Sequence, residues 1–222
     1  MTTTNSTPKI MALTTHSIFF DAYETASDTL TTQKKIWALA QYCQSSDDFV
    51  DVVPANNNLT LYLKEPAQLA GWLPRLLEQW HELKATDFNS RHHKLATRYG
   101  GEYGPDIAHV AKHHNLCVDD VAQMHSSAKY HVLFLGFKPG FAYLDGLNPQ
   151  LYTPRHAEPR LSVPKGSVAI GGDQTGIYPE SSPGGWQIIG HTDFRLFDIN
   201  AASPCAIEPG DTLEFVIQEV LK

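Results

Sequence analysis

Between Phe134 and Asp198 the chain carries ten of its fifteen glycines and seven of its fourteen prolines. That density rules out a long helix. Glycine loses the most backbone freedom on ordering, and proline fixes φ and removes an amide hydrogen. Short strands punctuated by tight turns remain. The apolar runs Ser167–Ile170, Trp186–Ile189 and Leu196–Phe197 are the predicted strands, each bounded by Gly, Pro or polar turn residues. The turns carry Arg155, Arg160, Lys165, Gln174, Thr175, Tyr178 and Glu180. These are hydrogen-bonding and anion-binding types on loops, where binding residues concentrate. A concave β surface with a polar floor is the expected result.

Upstream the periodicity changes. His16–Tyr23 reads as a strand, followed by a helix capped at Thr31 or Thr32 with Ile36, Leu39, Ala40 and Cys43 on one face. Phe49–Val53 and Leu59–Leu63 read as strands joined by a turn at Pro54–Asn58. A second helix places Leu69, Trp72, Leu73, Leu76, Leu77 and Trp80 on one side, and Pro74 predicts a kink or a late start. This β-α-β-β-α order predicts a small α/β sandwich over residues 13–88. The polar, unpatterned Lys84–Ser90 marks the boundary. Over residues 89–222 the expected elements are a strand at His93–Tyr99, helices at Asp106–His113 and Val118–Ser126, and a strand at Tyr130–Leu135. After the Gly/Pro-rich stretch comes a last strand at Thr212–Gln218. The fold class is therefore α+β, an N-terminal sandwich followed by a β-barrel or β-sandwich.

Composition bounds the function. The formal charge of -7 disfavours broad binding to nucleic acid or anionic membrane, though not a local basic pocket. No run approaches the ~18 apolar residues of a membrane span. The opening MTTTNSTPKIMALTTHS has one lysine and no apolar core, so a flexible start is expected rather than a secretory signal. Cys43, Cys117 and Cys205 are far apart without CxxC spacing, which reads as reduced thiols in a cytoplasmic protein.

Phosphate-loop, nucleophile-elbow, HExxH and paired CxxC signatures are absent. Gly100–Gly104 precedes a helix, so it is either a helix-entry turn or a set of free amides for an anion. His109 and His113 share a helix face at metal-ligand spacing, but no carboxylate or cysteine completes a set in sequence, and no metal is expected. His125, at the end of a helix, is either a general base or a structural residue. Arg155 and Arg160 flank a turn stiffened by Pro154, Pro159 and Pro164, and can clamp a carboxylate or phosphate or simply pair within the fold. Phe137, Phe141 and Tyr143 around Pro139-Gly140 suit a pocket wall, a partner surface or a core equally.

Four motifs in register carry a resemblance: GF-x-PGF-x-YL at Gly136–Leu144, PR-xxx-PR-xx-VP-x-GSV at Pro154–Val168, QTG-x-YP at Gln174–Pro179 and PGGW-xx-IG-x-T at Pro183–Thr192. Together they resemble the family of allophanate hydrolase subunit 1, the kinase inhibitor KipI, and the C–D half of a carboxyltransferase domain. QKKIWALAQ at Gln33–Gln41, YGGEYGPDIAHVAKHH at Tyr99–His114, the HSS at His125–Ser127 and IGHT at Ile189–Thr192 are most similar to the bacterial 5-oxoprolinase branch. His191 stands where much of the wider family carries arginine.

The resemblance implies a small α/β domain followed by a cyclophilin-like β-barrel. It implies ATP-dependent opening of 5-oxo-L-proline to L-glutamate, with ATP and Mg2+ as cofactor and subunits C and A as partners. Phosphorylating the lactam oxygen would supply the leaving group that a poor electrophile lacks. Under that reading His125 moves a proton, Arg155 and Arg160 hold phosphate or carboxylate, and Gln174 completes the catalytic set. Thr175, Tyr178, Lys165, Gly184, Gly185 and Phe141 bind substrate. Two other classes stay open. One is a KipI-like inhibitor of a sensor kinase, docking through Phe137–Tyr143. The other is half of a urea-carboxylase-type carboxyltransferase, served by a biotinylated carrier elsewhere, since no Met-Lys signal occurs here.

Overall fold

Alternating apolar residues organise the first part of the chain. In the computed structural model, which describes residues 7–25, 28–85 and 90–222, strands β1 (Lys9–Thr14), β2 (Ser17–Asp21), β3 (Phe49–Ala55) and β4 (Asn58–Leu63) form an antiparallel sheet in the order β1-β2-β4-β3. Ile18 and Phe20 of β2 and Leu59, Leu61 and Leu63 of β4 point to one face, as period-two alternation requires. They pack on helices α1 (Thr29–Gln44) and α2 (Leu69–Glu82) through Ile36, Leu39, Ala40 and Cys43 and through Trp72, Leu76 and Trp80. Burial pushes the Cys43 thiol up to about 12, so it behaves as core and not as a nucleophile.

Three local expectations shift here. The cap of α1 is Asp28, whose Oδ1 accepts the Thr31 amide at 2.7 Å, so the helix starts before Thr31. Helix α2 contains Pro74 within its length, entered through a 3-10 turn at Pro66–Gln68. Residues 9–14, expected to be flexible, form an edge strand. Its burial pattern shows no inward face, and that is why alternation did not reveal it. Residues 1–6 of the expected flexible start lie outside the described residues, as do residues 86–89 of the expected boundary.

The chain divides into two compact units, Met1–Phe88 and Asn89–Lys222. The second is built on a closed seven-stranded barrel. Its strands are β5 (His92–Gly100), β6 (Tyr130–Leu135), β7 (Ala142–Asp145), β9 (Ser167–Gly171), β10 (Gln174–Ile177), β12 (Gln187–His191) and β13 (Thr212–Leu221). Their order is β10-β7-β6-β13-β5-β12-β9, closed between β9 and β10. β13 lies parallel to β5 and antiparallel to β6. Two further strands, β8 (Arg160–Val163) and β11 (Ser182–Gly184), pair into a separate ribbon. Helices α3 (Ile107–His114) and α4 (Val118–Ser126) lie between β5 and β6 in sequence and contribute Ile107, Val110, Ala111, Val121 and Ala122 to the barrel core. Leu196–Phe197 is not a strand, since Phe197 makes only an isolated bridge to Cys205.

The two faces of the barrel wall are both apolar near β9, which gives the molecule a second small core. Val168 and Ile170 point inward, joining Leu95, Val132, Leu144, Ile177, Ile189, Leu213 and Phe215. Ala169, between them, points outward into a cluster of Phe141, Val163, Tyr178, Trp186 and Ile188. The Gly100–Gly104 segment is a helix-entry turn. The Tyr103 and Gly104 amides donate to the Gly100 carbonyl, and the Asp106 amide donates to the Ile188 carbonyl at 2.9 Å. Gly104 is pressed against β12, so a Cβ there would overlap the Ile189 carbonyl oxygen. That oxygen belongs to a barrel strand and has little freedom to yield. Gly104→Ala should therefore cost about 1–3 kcal/mol of stability, measured by denaturant unfolding. A variant as stable as the parent would show that the turn relaxes freely.

Candidate functional site

The outer cluster forms the floor of an open pocket of about 210 Å³. Phe137, Phe141, Tyr143, Tyr178 and Trp186 supply its aromatic walls, and Arg155, Pro159 and the Pro183–Gly185 segment supply its rim. Glycine makes the geometry possible. A Cβ at Gly171 would run into the Trp186 indole, and one at Gly176 would meet both that ring and Phe141. Phe141 is the hub, edge-on to Trp186 at 5.5 Å and to Tyr178 at 5.3 Å between ring centroids. Phe137 closes one side with 58% of its surface exposed, in the left-handed region at φ 65. That backbone conformation is uncommon for a bulky residue. The adjacent Lys138 pairs with Glu180 at 3.0 Å.

Arg155 is the pocket's cation. Its guanidinium carbon lies 5.2 Å from the Trp186 ring centroid, within cation–π range. Among the described residues it makes no ion pair, which leaves its fork of donors available for an incoming carboxylate. Tyr178 is a buried phenol with a raised pKa. Burial drives the rise, and the Trp186 amide and the Arg155 charge partly oppose it. It therefore stays protonated at neutral pH and can serve as a hydrogen-bonding group, not as a base.

Of the ten residues expected to be catalytic or substrate-binding, five meet here, Phe141, Arg155, Tyr178, Gly184 and Gly185, beside the wall candidates Phe137 and Tyr143. The other five of those ten do not line the pocket. Arg160, expected to be the second clamp, donates from Nη2 to Asp106 Oδ1 at 2.6 Å and so pairs within the fold. Lys165 lies in the turn beside a second cavity of about 230 Å³ lined by Glu102, Tyr103, Pro105, Pro164, Ser167, Ile188 and His191. Its carbonyl accepts from His191 Nε2 at 3.1 Å. Gln174 begins β10 with its Nε2 buried and without a hydrogen-bond partner.

His125 and Thr175 are interior residues, which corrects their expected roles. Both are fully buried. Tyr99 donates its hydroxyl to His125 Nδ1 at 2.8 Å, His125 Nε2 donates to Thr175 Oγ1 at 2.9 Å, and Thr175 donates to the Ala169 carbonyl at 2.9 Å. The Tyr130 hydroxyl donates to the His125 carbonyl at 2.8 Å. With both ring nitrogens engaged and no exposure, His125 cannot exchange protons with a pocket on the barrel's outside. His109 and His113 stack at 6.4 Å, and among the described residues no group of three His, Cys, Asp or Glu converges to hold a metal ion.

Asp106 is the residue that sequence reasoning passed over. It is 5% exposed, and its carboxylate meets Arg160, the Ile188 amide at 2.7 Å and, at 3.3 Å, His156 Nε2. In sequence it looked like an ordinary first residue of a helix.

A closed mixed barrel with an aromatic pocket on its outer wall is a cyclophilin-like module. The chain superposes on the urea amidolyase of K. lactis with a TM-score of 0.77 at 20% identity, covering 96% of this chain and only 15% of that one, a likeness of fold. It belongs to the family of the carboxyltransferase domain, subdomain C and D, whose pattern spans residues 8–207. It is 49% identical over 192 residues to the B component of 5-oxoprolinase from Escherichia coli O157:H7, covering 86% of this chain and 88% of that one. It is 47% identical over 188 residues to the Haemophilus influenzae protein of the same name, covering 85% and 88%.

Burial pushes the His125 imidazole down to about 3, from an ordinary value of 6.5. The unfolded chain thus binds a proton that the folded chain refuses between those values. The stability His125 permits is complete above ~6.5 and declines as pH falls through that window, by up to ~1.4 kcal/mol per unit. The His125 ring resonances should remain those of the neutral Nε2–H tautomer at pH 5 in NMR titration. A midpoint near 6.5 would show that the interior chain opens to water.

Proposed function

We propose that this chain is a subunit of a 5-oxoprolinase and that its aromatic pocket binds 5-oxo-L-proline, with Arg155 taking the carboxylate. The pocket carries the reading: five aromatic walls, one unpaired guanidinium, and a volume suited to a small planar acid. The identity to relatives named as 5-oxoprolinase components supports the same assignment. The lactam ring lies against Phe141 and Trp186, and the Tyr178 hydroxyl and the Gly184–Gly185 backbone address its amide. Partner subunits C and A complete the enzyme, and the overall reaction yields L-glutamate, ADP and phosphate.

The pocket does not fit ATP. About 210 Å³ is below the 300–1,000 Å³ typical of sites for larger ligands, and one arginine is a poor match for a triphosphate. No phosphate-cradling loop occurs in the sequence. We therefore assign the nucleotide, with its Mg2+, to a partner subunit or to a surface completed by one, and derive no step through it on these residues. No helix among the described residues is long and apolar enough to cross a membrane.

The test is glutamate and ADP release from 5-oxo-L-proline and ATP, using this chain alone and mixed with subunits A and C. Activity is expected only in the mixture. Arg155→Ala should raise KM for 5-oxo-L-proline by roughly 10- to 100-fold, as loss of a charge-assisted hydrogen bond worth ~1.5–3 kcal/mol requires. Its unfolding midpoint should barely move, because Arg155 is exposed. No activity in any mixture of folded subunits would overturn the reading. It would favour instead an inhibitor that docks through the exposed Phe137.

A further inference from the structure

We propose that Asp106 is the positioning residue of this pocket: its buried carboxylate holds the 154–160 loop, and through it the Arg155 guanidinium, in register with the Gly184–Trp186 rim. The inference rests on the reading of Arg155 as the carboxylate-binding group.

The first observation is what Asp106 does not do. It occupies the N-cap position of α3, where an aspartate ordinarily accepts an amide from the first helical turn, yet its side chain makes no capping bond. Both carboxylate oxygens point elsewhere. Oδ1 accepts from Arg160 Nη2 at 2.6 Å and Oδ2 accepts from the Ile188 amide at 2.7 Å, while His156 Nε2 lies 3.3 Å from Oδ2 without a hydrogen bond. The Asp106 amide donates back to the Ile188 carbonyl at 2.9 Å. A single side chain thereby joins β12 to the end of the loop at Arg160 and lies beside His156.

The second observation is how loosely Arg155 itself is held. It lies in a stretch without regular structure, between Thr153 and the start of β8. Its guanidinium approaches the Trp186 ring at 5.2 Å, a contact that leaves a long side chain several rotamers. Its direction is therefore set by the loop backbone. That backbone is pinned on either side of Arg155. Gln187 Nε2 donates to the Pro154 carbonyl at 2.8 Å, and the His156 amide donates to the Gly185 carbonyl at 2.7 Å. Both partners, Gly185 and Gln187, flank Trp186 in the segment that Asp106 fixes at Ile188. Release of the carboxylate frees the loop at Arg160 and the rim at Ile188 together and removes the charge beside His156, while leaving the barrel core untouched. Asp106 does not line the pocket, so it acts only through these neighbours.

The test compares Asp106→Asn and Asp106→Glu with the parent by two readouts. Hydrogen–deuterium exchange on the full chain should quicken at residues 153–160 and 184–188 in Asp106→Asn, with exchange in β5, β6 and β13 unchanged. In the complex with subunits A and C, KM for 5-oxo-L-proline should rise roughly tenfold with kcat within about twofold, and Asp106→Glu should recover part of the loss. Unchanged exchange in the loop, or a KM equal to the parent's, overturns the inference. So does a general loss of protection across the barrel, which would make Asp106 a determinant of overall stability. Arg155→Ala separates the two ideas. If it leaves KM unaltered, the pocket reading fails. If it raises KM while Asp106→Asn does not, only the positioning role fails.

Discussion

The hydrogen-bonded chain through His125 decides where chemistry can occur in the second unit. A buried polar group must be satisfied or it costs stability. Tyr99, His125, Thr175 and the Ala169 carbonyl satisfy one another in a single donor-to-acceptor direction. That direction fixes the tautomer and links β5, α4, β10 and β9 across the barrel interior. A barrel interior filled in this way leaves the pocket of about 210 Å³ to the outer wall. There Ala169, Gly171 and Gly176 leave the relief into which Phe141 and Trp186 settle.

Two arginines five residues apart end up in opposite surroundings. Arg160 has a buried carboxylate within 2.6 Å and neutralises it. Arg155 has none among the described residues and faces solvent over an indole. Removing one partner of a buried pair leaves an uncompensated charge, whereas removing an exposed cation costs little. The pairing partner, not the residue type, separates a structural arginine from one free to bind.

Much of this was legible in the sequence. Helices α1 and α2 followed from apolar spacing, and the aromatic and glycine residues of the pocket came from the Gly/Pro-rich stretch. What sequence hid has physical causes. Strands β7, β8, β10 and β11 are three or four residues long, too short for alternation to register. His125 and Thr175 look like any polar pair in sequence, and only the fold shows that each meets a partner far along the chain. Asp106 was hidden because an aspartate before a helix reads as a cap, and its actual partner, Arg160, lies 54 positions away.

The parallel pairing of β13 with β5 has a consequence for how the molecule is made. The Arg91 amide meets Asp211 across a separation of 120 residues, and the register runs on from His92 opposite Thr212. Loop closure of that length is slow, and contacts so remote cannot guide early collapse. The first sheet and its helices, complete by Glu82, can assemble while the ribosome is still producing the barrel. The barrel itself must wait, with the exposed flank of β5 unpaired, until residues 212–221 emerge. Over that interval the nascent chain presents an open strand edge, and a chaperone or a fast final stretch of translation would most influence yield at this step.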